Sequence, residues 1–174
     1  SAKISTFFAP TVILAAGGVG NLFLHTSNPV GATGDGIAMA YRAGIEIINA
    51  EYVQFHPTIL FHRDYRRFLI SETLRGEGAK LMNKQGDYFM QKYSPQNGDL
   101  APRDEVARAI YREMESDDSE YVHLDATKIT GFPVKERFPG IYEKCLSLGI
   151  DLTEEPIPVV PGAHYFCGGV KVDK

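Results

Sequence analysis

The chain has 174 residues, 44% of them hydrophobic and 23% charged, with a formal net charge of −4. That is enough for one ordinary core, or for one domain and part of another, and the mild acidity excludes the basic footprint of a nucleic-acid binder. No run of about 18 apolar residues is present, so no membrane span is expected.

In chain order, Thr11-Val12-Ile13-Leu14-Ala15-Ala16 runs into Gly17-Gly18 and reads as a buried strand ending in a glycine turn. Such a strand normally sits inside an α/β domain. With no secretory signal and an extended segment at Gly169–Lys174, the expectation is a piece cut from a larger protein. Thr33-Gly34-Asp35-Gly36 precedes a helix over Ile37–Ala43, closed by Gly44, and Ile45–Ile48 reads as a short strand. Glycines at a helix start let a ligand approach the backbone, and the helix terminus favours acceptors or anions. Asp35 suits hydrogen bonds from the hydroxyls of a ribose-like chain; a plain helix cap is the simpler alternative.

From Glu51 the texture changes to shorter segments with more Pro, aromatic residues and charge. Lys80–Asn83 and Tyr88–Met90 flank Lys84-Gln85-Gly86-Asp87, a hairpin signal. Asp104 reads as the N-cap of a helix to about Glu115, whose Val106, Ile110 and Met114 share a buried face. Tyr121–Asp125 alternates as a strand, Ile141–Leu148 forms a short helix closed by Gly149, and Pro156–Pro161 is a rigid extended return. This gives an α+β insertion between two ends of a parent domain. Cys145 and Cys167 read as reduced thiols of a cytosolic protein.

Four segments collect the candidate chemistry: Gln54–Thr58, Ser71–Ala79, Leu100–Asp104 and His164–Val170. Together they supply two histidines, two arginines, a hydroxyl and a carboxylate, a set that suits holding a small dianion and moving a proton. Taken singly, His56 and His164 read as structural histidines, as do His25, His62 and His123. His164 and Cys167 have a metal-like spacing without a second pair, so no metal is expected. Glu72 and Arg75, three apart, share a face of a short helical turn; a surface ion pair is the plain alternative, and the adjoining Gly76-Glu77-Gly78 argues against it. Arg103 follows Pro102 at a helix mouth, where a cation opposes the helix dipole, so a reason for its presence is worth seeking.

In this order the segments resemble the flavoprotein family that contains L-aspartate oxidase and the flavoprotein subunits of fumarate reductase and succinate dehydrogenase. The motifs carrying the resemblance are Ala-Ala-Gly-Gly at 15–18, Thr-Gly-Asp-Gly at 33–36, Gln-Phe-His-Pro-Thr at 54–58, Arg-Gly-Glu-Gly-Ala at 75–79, Ala-Pro-Arg-Asp at 101–104 and His-Tyr at 164–165. Gly78-Ala79, Cys167 and the stretches from Phe138 to Cys145 and Pro156 to Val159 are closer to the oxidases than to the respiratory members. Gly162 departs from the alanine expected there, a conservative change.

The resemblance implies an α+β capping domain over residues 51–163, flanked by pieces of a Rossmann-like FAD-binding domain at 1–50 and 164–174. It implies FAD as cofactor, with a site incomplete in this fragment, and L-aspartate or fumarate as ligand. The reaction would be oxidation of L-aspartate to iminosuccinate in the cytoplasm, with electrons passing to O2 or fumarate and the product to quinolinate synthase in NAD biosynthesis. Arg103 takes the position of the acid/base. That role is demanding, because a free guanidinium has a pKa of about 12.5 or more and needs a dry, cation-crowded site with a relay. Glu72 and Arg75 take the relay positions, His56, Ser71 and His164 the substrate-carboxylate positions, and Asp35, Gly17 and Gly18 the cofactor positions. The alternatives are a fumarate reductase or succinate dehydrogenase flavoprotein and, for the isolated piece, a non-catalytic cap module.

Overall fold

The computed structural model describes residues 4–65 and 68–173; Lys174, the last residue of the C-terminal extended segment, lies outside them. Helix α1 (Asp35–Arg42) follows Gly34 and ends before Gly44, where the chain reverses through a positive φ, as the glycine pattern predicts. The short strand β1 (Ile47–Ile48) leads into β2 (Val53–Leu60). Helix α2 (Glu72–Gly76), strand β3 (Lys80–Met82), helix α3 (Met90–Tyr93) and helix α4 (Arg103–Asp117) follow. Strand β4 (Val122–Asp125), helices α5 (Val134–Arg137) and α6 (Pro139–Leu146), and strands β5 (Ile157–Phe166) and β6 (Gly169–Val170) complete the order.

Among the described residues the strands form two antiparallel sheets. One has four strands in the order β2-β5-β4-β3, and the other pairs β1 with β6. Mixed helix and sheet content is therefore observed. An apolar cluster covers the four-stranded sheet, with Leu60, Leu74, Leu81, Ile110, Leu124 and Leu152 fully buried. Val106 and Ile110 of α4 enter this core and Met114 packs at its edge, so the four-residue spacing marks the buried face correctly. Cys145 lies in the same core, where burial pushes its thiol up to about 11, and Cys167 is an exposed free thiol.

Four local expectations are corrected. Residues 4–18 form no strand: they have no regular secondary structure, and Val12 and Ile13 are 80% and 87% exposed. An extended segment becomes a strand only through ladder bonds to a neighbour, and none pairs with it among the described residues. The Lys80–Met90 hairpin reduces to one bridge between Met82 and Tyr88, because β3 pairs with β4 instead and Met90 already begins α3. The turn itself holds, since Asn83 Oδ1 accepts from the backbone N–H groups of Gln85 and Asp87 at 3.2 and 2.8 Å.

Asp104 is not the cap of α4. Pro102, extended at ψ 143°, holds that position, so the helix starts two residues earlier, at Arg103. Asp104 sits inside the first turn and accepts from Arg108 at 2.7 Å. The extended return over 156–161 is the first half of a longer strand, β5, which pairs with both β2 and β4.

The β2–β5 ladder has two irregularities. Gln54 stands opposite Tyr165, but Phe55 stands opposite Ala163, which leaves His164 as an extra residue between them. Such a bulge re-aims a side chain. His56 then stands opposite Gly162. A Cβ on Gly162 would lie 2.7 Å from Ile59 Cγ1 and 3.0 Å from the His25 carbonyl carbon and oxygen. The alanine expected there is thus not a neutral exchange in this chain, because the His25 backbone lies against the strand. Gly162→Ala is predicted to destabilise the chain by about 1–3 kcal/mol through this overpacking; urea unfolding of the two proteins measures it, and equal midpoints would contradict the packing.

Candidate active site

The β2–β5 ladder brings together two histidines that are far apart in sequence. The rings of His56 and His164 lie 5.3 Å apart, centroid to centroid, in an edge-on arrangement. His56 is buried, and its Nδ1 accepts a hydrogen bond from the Thr58 N–H at 3.2 Å. That bond fixes the tautomer, leaving the proton on Nε2. Burial drops the His56 pKa to about 3, helped by the charges of Arg103, His164 and Arg75. His164 is also shifted down, by burial and by Arg103. Both imidazoles are therefore neutral near pH 7.

Arg103 comes to this place from the start of α4. Its Nε and Nη2 both donate to Glu72 Oε2, at 2.8 and 2.7 Å, and its Nη1 donates to Gln54 Oε1 at 3.2 Å. The arginine at the helix mouth, unfavourable for the dipole, is thus held by a carboxylate from α2 and an amide from β2. Glu72 reaches a second arginine: its Oε1 is 3.9 Å from Arg75 Nη2. Arg75 is buried, and its Nη1 donates to the Asp99 carbonyl, while Nε and Nη2 have no hydrogen-bond partner among the described residues. Burial, with the Arg103 charge, pulls the Arg75 pKa below the usual guanidinium range, against Glu72 and Asp99. A buried guanidinium with unpaired N–H groups is a costly placement.

Ser71 is the N-cap of α2: its Oγ accepts from the Thr73 N–H at 3.3 Å and donates to Thr73 Oγ1 at 3.1 Å. It is brought beside Glu72 by sequence, with its hydroxyl engaged locally. On the other side of His164, a cleft of about 770 Å³ is lined by Gly17, Gly18, Gly36, Ile37, Gly168 and Gly169, and by His164 itself. Gly17 adopts φ 77°, and open space lies where a Cβ would stand. A wall of bare backbone with apolar Leu14, Phe166 and Val170 fits the face of a flat aromatic ring. Asp35 is exposed next to this cleft and accepts from Thr33 Oγ1 at 2.9 Å.

The structure thus brings His56, His164, Glu72, Arg75 and Arg103 into one neighbourhood and places Gly17 and Gly18 in a cleft that His164 shares. Sequence reasoning missed several supporting groups. Gln54 lies two residues before His56 on β2, and that strand position is the signal for its nearness to Arg103. Asp99 accepts from the Leu81 N–H at 2.7 Å, and burial raises its pKa. Ser27 contacts His164 Nδ1 at 2.5 Å, and Asn28 Nδ2 donates to the His164 carbonyl at 2.8 Å. Nothing local in the sequence announces these last contacts.

Comparison with known proteins places this geometry in context. Residues 1–174 match the FAD binding domain family. The chain is 52% identical over 174 residues to an L-aspartate oxidase of Pseudomonas aeruginosa, covering all of this chain and 32% of the relative. It is 54% identical over 173 residues to an L-aspartate oxidase of Yersinia pestis, covering 99% of this chain and 32% of that one. A quinol-fumarate reductase structure with menaquinol molecules superposes with a TM-score of 0.82 at 35% identity, covering 92% of this chain and 30% of its own. The chain therefore spans about a third of the length of the relatives it matches.

The depressed His56 pKa has a stability consequence. Its folded value, about 3, lies below the unfolded value of 6.5, so the unfolded chain binds the extra proton in that window. The stability linked to neutral His56 is fully present above pH 6.5 and is lost as pH drops toward 3, by up to about 1.4 kcal/mol per unit. Denaturant unfolding of the wild type at pH 7.5 and 5.0 should show this loss. His56→Gln should show a smaller one, and equal slopes would contradict the burial of a neutral His56.

Proposed function

Because the chain belongs to the FAD binding domain family, we infer that it carries the substrate-handling part of an FAD-dependent L-aspartate oxidase that forms iminosuccinate from L-aspartate. The observation that supports this most is the cluster of His56, His164 and Arg103 beside Glu72 and Arg75. Relatives about 50% identical that are named L-aspartate oxidases support the choice of reaction.

In this reading residues 51–163 are a capping domain, and 1–50 and 164–174 belong to the FAD-binding domain. The apolar cluster, confined to residues between Leu60 and Val159, supports that division. Gly17 and Gly18 hold one face of the flavin, Asp35 contacts the cofactor nearby, and bound FAD supplies the hydride acceptor. His56 presents an Nε2 proton to a substrate carboxylate, His164 adds a second, and Ser71 joins the grip by turning its hydroxyl away from Thr73. Neutral N–H donors suit this task, since they bind an anion without demanding a proton from solvent. The Arg103 guanidinium, close enough to lower the pKa of both imidazoles, puts a positive charge beside these donors, complementary to a dicarboxylate. Arg103 first yields a proton to Glu72, which stands 2.8 Å from its Nε with Arg75 behind it, and the neutral guanidine so formed takes the proton from the substrate. Cytoplasmic location and delivery of the product to quinolinate synthase belong to the same reading.

A second reading is favoured by one observation, the structural match to quinol-fumarate reductase: the same groups then deliver a proton to fumarate. The two readings differ in the substrate turned over. Full-length protein should release iminosuccinate from L-aspartate, whereas fumarate reduction without aspartate oxidation would select the second. In either case Arg103→Leu should lower the rate by a factor of about 10²–10⁴ or more with the fold unchanged by circular dichroism; near-normal turnover would overturn the role of Arg103. The 174-residue chain by itself should bind FAD weakly or not at all and be inactive, because in this reading most contacts to the cofactor come from outside it. Purification of a yellow protein with stoichiometric FAD would contradict that.

A further inference from the structure

The segment His25–Asn28 is bound to the bulged stretch of β5 by a dense set of hydrogen bonds. The Ala163 N–H donates to the His25 carbonyl at 2.9 Å, and the Ser27 N–H donates to the Ala163 carbonyl at 3.1 Å. Thr26 Oγ1 donates to that same carbonyl at 2.7 Å, and Asn28 Nδ2 donates to the His164 carbonyl at 2.8 Å. The Asn28 N–H returns to Thr26 Oγ1 at 3.0 Å, which stiffens the segment. Within this frame Ser27 Oγ stands 2.5 Å from His164 Nδ1.

We propose that Ser27 is a positioning residue that donates its hydroxyl proton to His164 Nδ1 and thereby holds His164 in the Nε2–H tautomer, so that its free N–H is presented to the ligand beside His56. The backbone clamp on both sides of His164 fixes the strand, and the hydroxyl fixes the ring. His56 reaches the same state by another route, with the Thr58 N–H as donor to its Nδ1. The two rings thus offer two neutral donors and no acceptor, the complement of a carboxylate. The tautomer assignment rests on the Ser27–His164 contact; its use in gripping a dicarboxylate rests on the function proposed above.

Imidazole ¹⁵N NMR of the 174-residue chain near pH 7.5 tests it. In the wild type, His164 should carry its proton on Nε2 alone. Ser27→Ala should give a mixture of tautomers with an otherwise unchanged amide spectrum, and Ser27→Thr should restore the single form. A wild-type His164 protonated on Nδ1, or a tautomer unaffected by Ser27→Ala, overturns the proposal. In the full-length protein Ser27→Ala should raise KM for the dicarboxylate substrate about tenfold, the worth of one hydrogen bond, with kcat changed much less. A tautomer change in the chain with no change in KM would uphold the Ser27 assignment and count against the proposed substrate role of His164.

Discussion

The pairing of β2 with β5 is the constraint on which the site depends. It joins two segments from distant parts of the chain and anchors both sheets, since β5 also pairs with β4 and leads into β6. A regular ladder would set every second residue on one face. Here a register shift between Gln54 and Phe55 inserts His164, and another between His56 and Ile59 changes the count again. With His164 bulged out beside the Phe55 and His56 pairs, the two imidazoles lie 5.3 Å apart. Gly162 permits the close approach of the His25 backbone, and that approach brings Ser27 to His164. One glycine and one bulge therefore link strand pairing to ring orientation.

The electrostatics follow from the same packing. Helix α4 points its first residue, Arg103, into the neighbourhood of the histidines, where its charge adds to burial in keeping both rings neutral. Glu72 is shared between Arg103 and Arg75, so one carboxylate links the arginine at the start of α4 to the buried guanidinium. A charge so poorly paired as Arg75 opposes folding unless its surroundings are otherwise secure. The cluster of fully buried apolar side chains around Leu74, the neighbour of Arg75, provides that security.

Much of this was legible in the sequence because the chemistry sits in short motifs. The helix after Gly34, the helical turn carrying Glu72 and Arg75, the helix after Pro102 and the strand ending at Asp125 all follow from glycine, proline and hydrophobic period. The buried face of α4 was readable from Val106, Ile110 and Met114. What escaped depends on partners distant in sequence. Thr11–Ala16 has the composition of a buried strand, but composition supplies no neighbour for its ladder. Asp104 has the residue type of a cap, but the backbone of Pro102 places the helix start earlier. The bulge at His164, the amide of Gln54 on Arg103, the Asp99 carbonyl on Arg75 and the hydroxyl of Ser27 on His164 arise only once β2, β5 and α4 meet. Resemblance supplied the candidate roles of single residues, and the packing gives physical reasons for their proximity.

The central claim is that His56, His164 and Arg103 form one anion-binding site for a dicarboxylate. A crystal structure of the full-length protein with succinate, a dicarboxylate without the amino group to be oxidised, tests this most directly. The account predicts carboxylate oxygens within hydrogen-bond distance of Nε2 of both His56 and His164, with the Arg103 guanidinium facing the carbon chain of the ligand and still bound to Glu72. Succinate seated elsewhere, with the two histidines contacting none of its oxygens, would contradict it.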